Sequence, residues 1–350
     1  MQASLNPGQA LLITTPSHIH YLTGFVFLLS EEREGILVLT QKKAYLLHAH
    51  FSPLPSDTCL VPLIGVYPAA IKEHLVTLSK KHSLKELLID TKQLMVEEYL
   101  LLEELKIPLQ PYNHAPLWKL RTIKDASEIT HIRQAGAIAA QTWNRVERSL
   151  HVSITEKELQ TIIDQTMAEL GSERPAFPTI VAFGAHAALP HHQPTDTILG
   201  ENTAVLFDFG ARINGYRSDM SRTIWFGPQP TPTYLKVEET VKTAYNQVLA
   251  AIEQARQTDQ PMLASTLDQA ARSPIEAAGY GKNFIHTTGH GVGLDIHEPP
   301  SLHHKNTSIV QVNSVVTVEP GVYLEGELGY RHENTLLITE TGYEVLTEPE

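Results

Sequence analysis

Among 350 residues there is one cysteine, Cys59. A single thiol excludes an internal disulfide framework and fits a reducing cytoplasm. Positive charge is also scarce: the net charge is -12 and no cluster of Lys and Arg stands out. That argues against nucleic-acid binding through a basic surface, since phosphate contacts need cationic side chains. Long hydrophobic runs are missing. The apolar stretch from Leu11 to Leu29 is broken by Pro16, His18, His20 and Gly24, which argues against a membrane span. The N-terminus lacks the basic region and unbroken apolar stretch of a signal peptide. There is no H-E-x-x-H, so two histidines on one helix do not hold a zinc ion here. The Asp-Phe-Gly triplet at 208–210 lacks an upstream Gly-rich phosphate loop, V-A-I-K lysine and H-R-D loop, so alone it is weak evidence for a kinase magnesium site and its neighbours must decide.

What is present is the composition of a globular protein, 42% hydrophobic and 19% charged, with a length that suggests two domains. The first 115 residues read as a small mixed domain. "GILVLTQKKAYLLHAH" (35–50) predicts a hairpin. "PAAIKEHLVTLSKKH" has helical spacing, "KELLID" reads as a short buried strand and "QLMVEEYLLLEELK" as a further helix. The Pro-rich "PLQPYNHAP" (108–116) is the linker candidate. Beyond it, a long amphipathic helix starts near Asp125, and the capping box "TEKE" (155–158) opens another that ends at Gly171. Strands follow over 178–226, then helices over about 231–256 and 262–279, then more strands. The class is α+β, with domains at 1–115 and 116–350 and two similar-looking halves in the second.

Two aspartates flank a strong turn signal in "TAVLFDFGARINGYRSDMSRTIWFG". Asn214-Gly215 predicts a two-residue hairpin, which sets Asp208 opposite Ser221 and Asp219 diagonally along the same face. Two carboxylates there repel unless a cation sits between them; the alternative is two aspartates merely near a turn. "HTTGHGVGLDIHEPP" (286–300) carries Gly289, Gly291 and Gly293 around His290 and His297, either to bring the backbone close to a ligand or as a Gly-rich turn with incidental histidines. Leu294 replaces the third glycine of a dinucleotide fingerprint. Glu319 ends the apolar run "SVVTVE", and Glu333 precedes the apolar run "NTLLIT"; both are costly to bury unless paired or bound to metal. Taken together, Asp208, Asp219, His290, Glu319 and Glu333 suggest one metal site. Its formal charge of -4 is neutralised by two divalent cations, and ligation so rich in carboxylates suits manganese, cobalt or iron more than a structural zinc.

These segments, in this order, resemble the family of creatinase, prolidase, aminopeptidase P and methionine aminopeptidase. The resemblance implies a pita-bread catalytic domain, preceded by a smaller mixed α/β domain of creatinase/prolidase type. "DFGARINGYRSDMSRT", "GHGVGLDIHE", "VEPGVYLEG" and "YRHENTLLIT" match the family's ligand motifs. By that match Asp208, Asp219, His290, Glu319 and Glu333 hold two divalent metal ions per chain (manganese first, then cobalt, iron or zinc), with Asp219 and Glu333 bridging. "ALPHHQPTD" (188–196) matches the block that supplies a catalytic histidine, His191. "SHIHYLTGF" and "LWKLRTIKDASEI" match the N-terminal domain and domain junction of the prolidase and aminopeptidase P branch. Departures are His192 where the family usually has Gly, Ser221 for Thr, and Asn334 for Asp. Ser301 stands where many prolidases carry an arginine.

The resemblance further implies hydrolysis of the Xaa-Pro bond at the amino end of short proline-containing peptides by a cytoplasmic enzyme expected as a homodimer. Glu319 would move the proton of the attacking water, and His191 and His297 would bind the carbonyl. Tyr216 is a candidate for lining the pocket, and Arg331 for reading a substrate carboxylate. Creatine hydrolysis on this fold uses no metals, and methionine aminopeptidase lacks a comparable N-terminal domain. The alternative from a different class is a non-catalytic peptide-binding relative. Such relatives typically lose ligands, and this set is intact.

Overall fold

The computed structural model describes residues 1–29, 32–55, 59–258 and 260–349, and the chain divides into two compact units, Met1–Arg121 and Thr122–Glu350. In the first unit, β1 (Gln9–Ile13), α1 (Pro16–Thr23), β2 (Gly35–Thr40), β3 (Ala44–His48), β4 (Leu60–Ile64), α2 (Pro68–His82), β5 (Glu86–Ile89), α3 (Val96–Glu103), β6 (Leu109–Pro111) and α4 (Ala115–Thr122) follow in order. The strands make one mixed sheet, β4-β3-β2-β1-β5-β6. Its central strands β1, β2 and β3 are buried along almost their whole length because both faces are covered. Ala10, Leu12, Ile36 and Val38 pack against Ile71, Leu75 and Leu78 of α2, while Leu11, Ile13, Leu37 and Leu39 pack with Ile19 of α1, Phe25 and Phe27. The expected linker at 108–116 holds regular structure instead. Leu109–Pro111 pairs in parallel with β5, and prolines are tolerated there because an edge strand needs only one side of its ladder.

One polar network lies inside this unit. His18 is fully buried and accepts at Nδ1 from Arg121 NH1 at 2.8 Å. Trp118 stands edge-on to its ring at 4.8 Å and carries the Arg121 guanidinium over its own face at 4.6 Å. Burial, then the charge of Arg121, pushes His18 down to about 3.

The second unit comprises α5 (Ala126–Val146), α6 (Glu156–Glu169), β7 (Ile180–Phe183), β8 (Thr203–Phe209), β9 (Arg212–Ile213), β10 (Tyr216–Arg217), β11 (Met220–Phe226), α7 (Pro232–Gln257), α8 (Ala264–Ala277), β12 (Gly289–Gly291), β13 (Glu298–Leu302), β14 (Val315–Val318), β15 (Gly321–Leu324), β16 (Leu328–Arg331), β17 (Asn334–Ile338) and β18 (Tyr343–Val345). Asp125 caps α5 by accepting from Ser127 and Glu128, and Thr155 caps α6 in a reciprocal box with Glu158. The unit repeats one plan. α5 and α6 cover β7 and β8 through Ala135, Ala139, Leu159, Ile163, Val181 and Phe207. α7 and α8 cover the sheet β13-β12-β14-β17-β18 through Val237, Val241, Leu267, Val316, Val318 and Leu336. No helix among the described residues is long and apolar enough to cross a membrane.

The state of His18 sets an acid limit on the first unit. An unfolded histidine titrates near 6.5, so the stability His18 contributes is complete above that pH and is lost as pH falls towards 3, where only the unfolded chain takes up the proton. Between pH 7 and 4.5 the wild type should lose about 2–3 kcal/mol more than His18→Gln, which keeps an acceptor for Arg121 without a titrating ring. Urea unfolding at the two pH values reads the difference, and parallel losses would refute it.

Candidate metal centre

The site begins with the turn. Asn214 and Gly215 have φ of 47° and 82°, the left-handed pair that joins strands of natural twist. The register from Ile213↔Tyr216 continues to Asp208↔Ser221, as residue counting predicts. Asp219 departs from the expected ladder. It lies in a break between β10 and β11, where its N–H donates to Thr335 Oγ1 (3.0 Å) and its carbonyl accepts from that hydroxyl (2.7 Å). Thr335 of β17 thus holds the backbone of Asp219 on both sides.

The second sheet brings the other three residues. His290 is the middle residue of β12, which pairs with β14 through Gly291↔Val316. The approach is close enough that a Cβ on Gly289 would lie 2.0 Å from the Thr317 carbonyl oxygen, so only glycine fits there. Glu319 and Glu333 each stand one step beyond the last pair of the β14–β17 ladder, Val318↔Asn334. Both are anchored by backbone, Glu319 N–H to Thr288 (2.8 Å) and Glu333 N–H to Ser221 (3.1 Å).

Four carboxylates and one imidazole thus converge. His290 Nδ1 donates to the Gly291 carbonyl at 3.1 Å, which turns the Nε2 lone pair towards Glu319 Oε1 (3.3 Å) and Asp219 Oδ2 (3.7 Å). Burial holds the imidazole below its ordinary value, hence neutral and fit to ligate. Asp219 Oδ, His290 N and Glu333 Oε atoms lie within 4.8 Å of one another. Burial, then Glu333, Asp208 and Glu319, holds the Asp219 carboxyl well above the usual carboxylate range. Burial, then Glu319 and Asp208, does the same to Glu333, and Glu319 is raised mainly by burial. Asp208 Oδ1 and Glu333 Oε1 are buried without a hydrogen-bond partner. Buried carboxylate oxygens with no donor, raised by one another's charge, are what a divalent cation relieves, so this residue set fits metal.

Arg331, expected to read a substrate carboxylate, has its guanidinium engaged within the site. Its Nε donates to Ser221 Oγ (2.7 Å), NH1 to Tyr323 OH (2.7 Å) and NH2 to Asp208 Oδ2 (2.6 Å). The side chain is buried, and each nitrogen of its fork is committed to holding the carboxylate shell. Tyr216, expected to line the pocket, is likewise engaged by neighbouring side chains. Its hydroxyl donates to the buried Glu128 at 3.0 Å, and its ring stacks on His131. His297 stands edge-on to His290, with ring centroids 4.4 Å apart, its ring part-enclosed by that packing, and His191 is exposed.

The departures from the family pattern are accommodated. Ser221 Oγ donates to Glu333 Oε2 at 2.6 Å. Asn334 uses its whole amide: Oδ1 accepts from Arg222 NH2 (2.8 Å) and Thr347 Oγ1 (3.0 Å), and Nδ2 donates to Tyr245 OH (2.8 Å) and Glu348 (3.1 Å). Three supporting residues were not foreseen. Tyr323 OH donates to His286 Nε2 at 2.9 Å, Thr317 Oγ1 donates to Glu319 Oε1 at 3.3 Å, and Lys124 forms a buried ion pair with Glu298, beside His297, at 3.3 Å. Lys124 was visible within the "TIKDASEI" segment. Tyr323 carries no signal until β15 is known to pair with β16, which sets Gly321 opposite Arg331.

The metallopeptidase family M24 model matches residues 130–340. An uncharacterized peptidase of Staphylococcus aureus (strain MRSA252) is 33% identical over 352 residues, covering 98% of this chain and 95% of its own length. A prolidase from Thermococcus sibiricus superposes with TM-score 0.86 at 30% identity, covering 98% of this chain and 93% of that one. An X-Pro aminopeptidase from Thermotoga maritima MSB8 gives 0.82 at 26%, covering 100% and 98%.

Removing the Arg331 fork should loosen Asp208. Arg331→Ala is expected to weaken divalent-cation binding roughly 10- to 100-fold, measured by competition with a chelator. Unchanged metal retention would show that the guanidinium does not hold that carboxylate in place.

Proposed function

The chain belongs to metallopeptidase family M24, and from that premise we propose that it hydrolyses the Xaa-Pro bond at the amino end of short peptides. It is a peptidase with the pita-bread fold. The observation that carries the proposal is the convergence of Asp219, His290 and Glu333, with Glu319 against the neutral His290 ring and with two carboxylate oxygens, on Asp208 and Glu333, buried without donors. Asp208, Asp219, His290, Glu319 and Glu333 would hold two divalent cations, Asp219 and Glu333 being shared. Ligation so rich in oxygen favours manganese. A bound metal pair supplies an activated water and polarises the scissile carbonyl. A cytoplasmic location fits the single free cysteine, Cys59.

The chain's own groups do the rest. Glu319 takes up the water's proton and returns it to the leaving imino nitrogen. Thr317 steadies one of its oxygens. His297 and His191 donate N–H to the carbonyl oxygen as charge develops there. Burial, then His290 and His191, pushes His297 down to about 4, so it donates as a neutral ring at neutral pH. With Arg331 committed to Asp208 and Ser301 uncharged, neither supplies a cation for a carboxylate directly after proline. Substrates that continue past proline are therefore accepted.

Asp208→Asn or Glu333→Gln should lower the bound metal and abolish hydrolysis with the fold retained; full activity in either variant would sink the dinuclear assignment. His191→Ala should keep its metals and lose kcat by about 10²–10³-fold, whereas loss of metal would make His191 a ligand. Across a panel of metal-loaded assays, Xaa-Pro tripeptides should be cleaved at least as well as Xaa-Pro dipeptides, and Arg331→Ala should depress both in parallel. A dipeptide preference abolished by that substitution would restore Arg331 as the carboxylate reader.

A further inference from the structure

A second cluster of ionisable side chains lies away from the metal centre, around Glu156 at the start of α6. Glu156 is fully buried and collects five donors. Oε1 accepts from the Phe183 N–H (2.9 Å) and His186 Nδ1 (2.9 Å). Oε2 accepts from His192 Nε2 (2.8 Å), the Thr195 N–H (2.9 Å) and Thr195 Oγ1 (2.7 Å). Burial alone would raise this carboxyl; the bonds from His192, His186, Phe183 and Thr195 outweigh it and hold the group below its ordinary value, hence ionised.

All five donors come from residues 183–195, on both sides of His191. Backbone ties in this segment are turn bonds from the Leu189 N–H to the His186 carbonyl (3.0 Å) and from the His192 N–H to the Leu189 carbonyl (3.0 Å) and, further on, the Lys157 N–H to the Thr195 carbonyl (3.2 Å). The near end is pressed against β16, where a Cβ on Gly329 would lie 1.8 Å from the Ala187 carbonyl oxygen. Between these fixed points His191 is exposed, and the residue after it is the buried His192.

Glu156, His186 and His192 also bring potential metal-ligand atoms within 4.8 Å, but the arrangement does not suit a cation. Two carboxylate oxygens offer about four lone-pair sites, and five donors already occupy them. The His186 and His192 rings are stacked, 4.3 Å apart and 29° from parallel, so their nitrogens point side by side at the carboxylate rather than converging on one ion.

We propose that Glu156, acting through His192, is the positioning residue that fixes His191 against the substrate carbonyl. This rests on the role given to His191 above. His192, which stands where relatives usually have glycine, is then the side chain that anchors the adjoining catalytic residue. An imidazole clamped by a buried carboxylate fixes the neighbouring backbone, and misplacement of a reacting group by about 1 Å costs up to about 10²-fold in rate.

The test uses the metal-loaded full chain and four variants: His191→Ala, His192→Ala, His192→Gln and the double variant His191→Ala/His192→Ala. His192→Ala should retain its metals and fold while kcat falls roughly 10- to 100-fold with little change in KM. His192→Gln, which returns a donor to Glu156, should recover most of the loss. The double variant should be no slower than His191→Ala alone, because a positioning group has nothing left to position. Wild-type kcat in His192→Ala, additive losses in the double variant, or failure of His192→Gln to rescue would overturn the proposal. A third metal equivalent that disappears in His192→Ala would make the cluster a metal site and overturn it too. Full activity in His191→Ala would instead bring down the underlying reading of His191, an outcome distinct from each of these.

Discussion

Four carboxylates, Asp219 and Glu333 buried and Asp208 and Glu319 half-buried, share one space with the Arg331 guanidinium, and that imbalance of charge governs the architecture around them. Like charges at this burial raise one another's proton affinity, as Asp219 and Glu333 register most strongly. Arg331 meets part of the deficit at Asp208, and Ser221 and Thr317 supply hydroxyls to Glu333 and Glu319. The remainder is left to added cations. An apolar or neutral pocket of the same shape would need none of the support that Tyr323, His286 and Arg222 provide.

That support explains why two sheets meet where they do. The hairpin carries Asp208 and Asp219, the β12-β14-β17 ladder carries His290, Glu319 and Glu333, and Thr335 bonds both backbone groups of Asp219 to join them. Arg222 fastens the same junction by donating to the backbone carbonyls of Ser221 and Glu333. Rigid backbone on both sides is what a preorganised charge site requires, since flexible carboxylates would swing apart to relieve their repulsion.

Much of this was legible in the residues. Asn214-Gly215 fixes the register of its hairpin by turn chemistry alone, and the capping boxes at Asp125 and Thr155 are local, so both could be read directly. The five candidate ligands could be collected because each breaks a local rule, a charge at the end of an apolar strand or a histidine among glycines. What could not be read depends on long-range pairing. Arg331 looked free because its partners, Asp208, Ser221 and Tyr323, are met only when β16 packs beside the hairpin. Tyr216 looked like a pocket residue because Glu128 lies 88 positions away. The break at Asp219 was hidden for the same reason, since Thr335 competes for its backbone from 116 positions away. The edge strand Leu109–Pro111 was masked by prolines whose composition imitates a linker.

The spread of the ligands along the chain also has a bearing on how the protein is made. Asp208 and its partner Arg331 are separated by 123 residues, and Asn334 links the end of the ligand set to Thr347 and Glu348. Contacts at that separation close late, after the loop entropy between them has been overcome. If these five residues hold the metal, the chain as far as α8 carries only two of them, Asp208 and Asp219, and the set is complete only once β12, β14 and β17 have paired. A cation that binds the completed set and not the unfolded chain would also add to the stability of the fold, because it relieves the repulsion among the carboxylates.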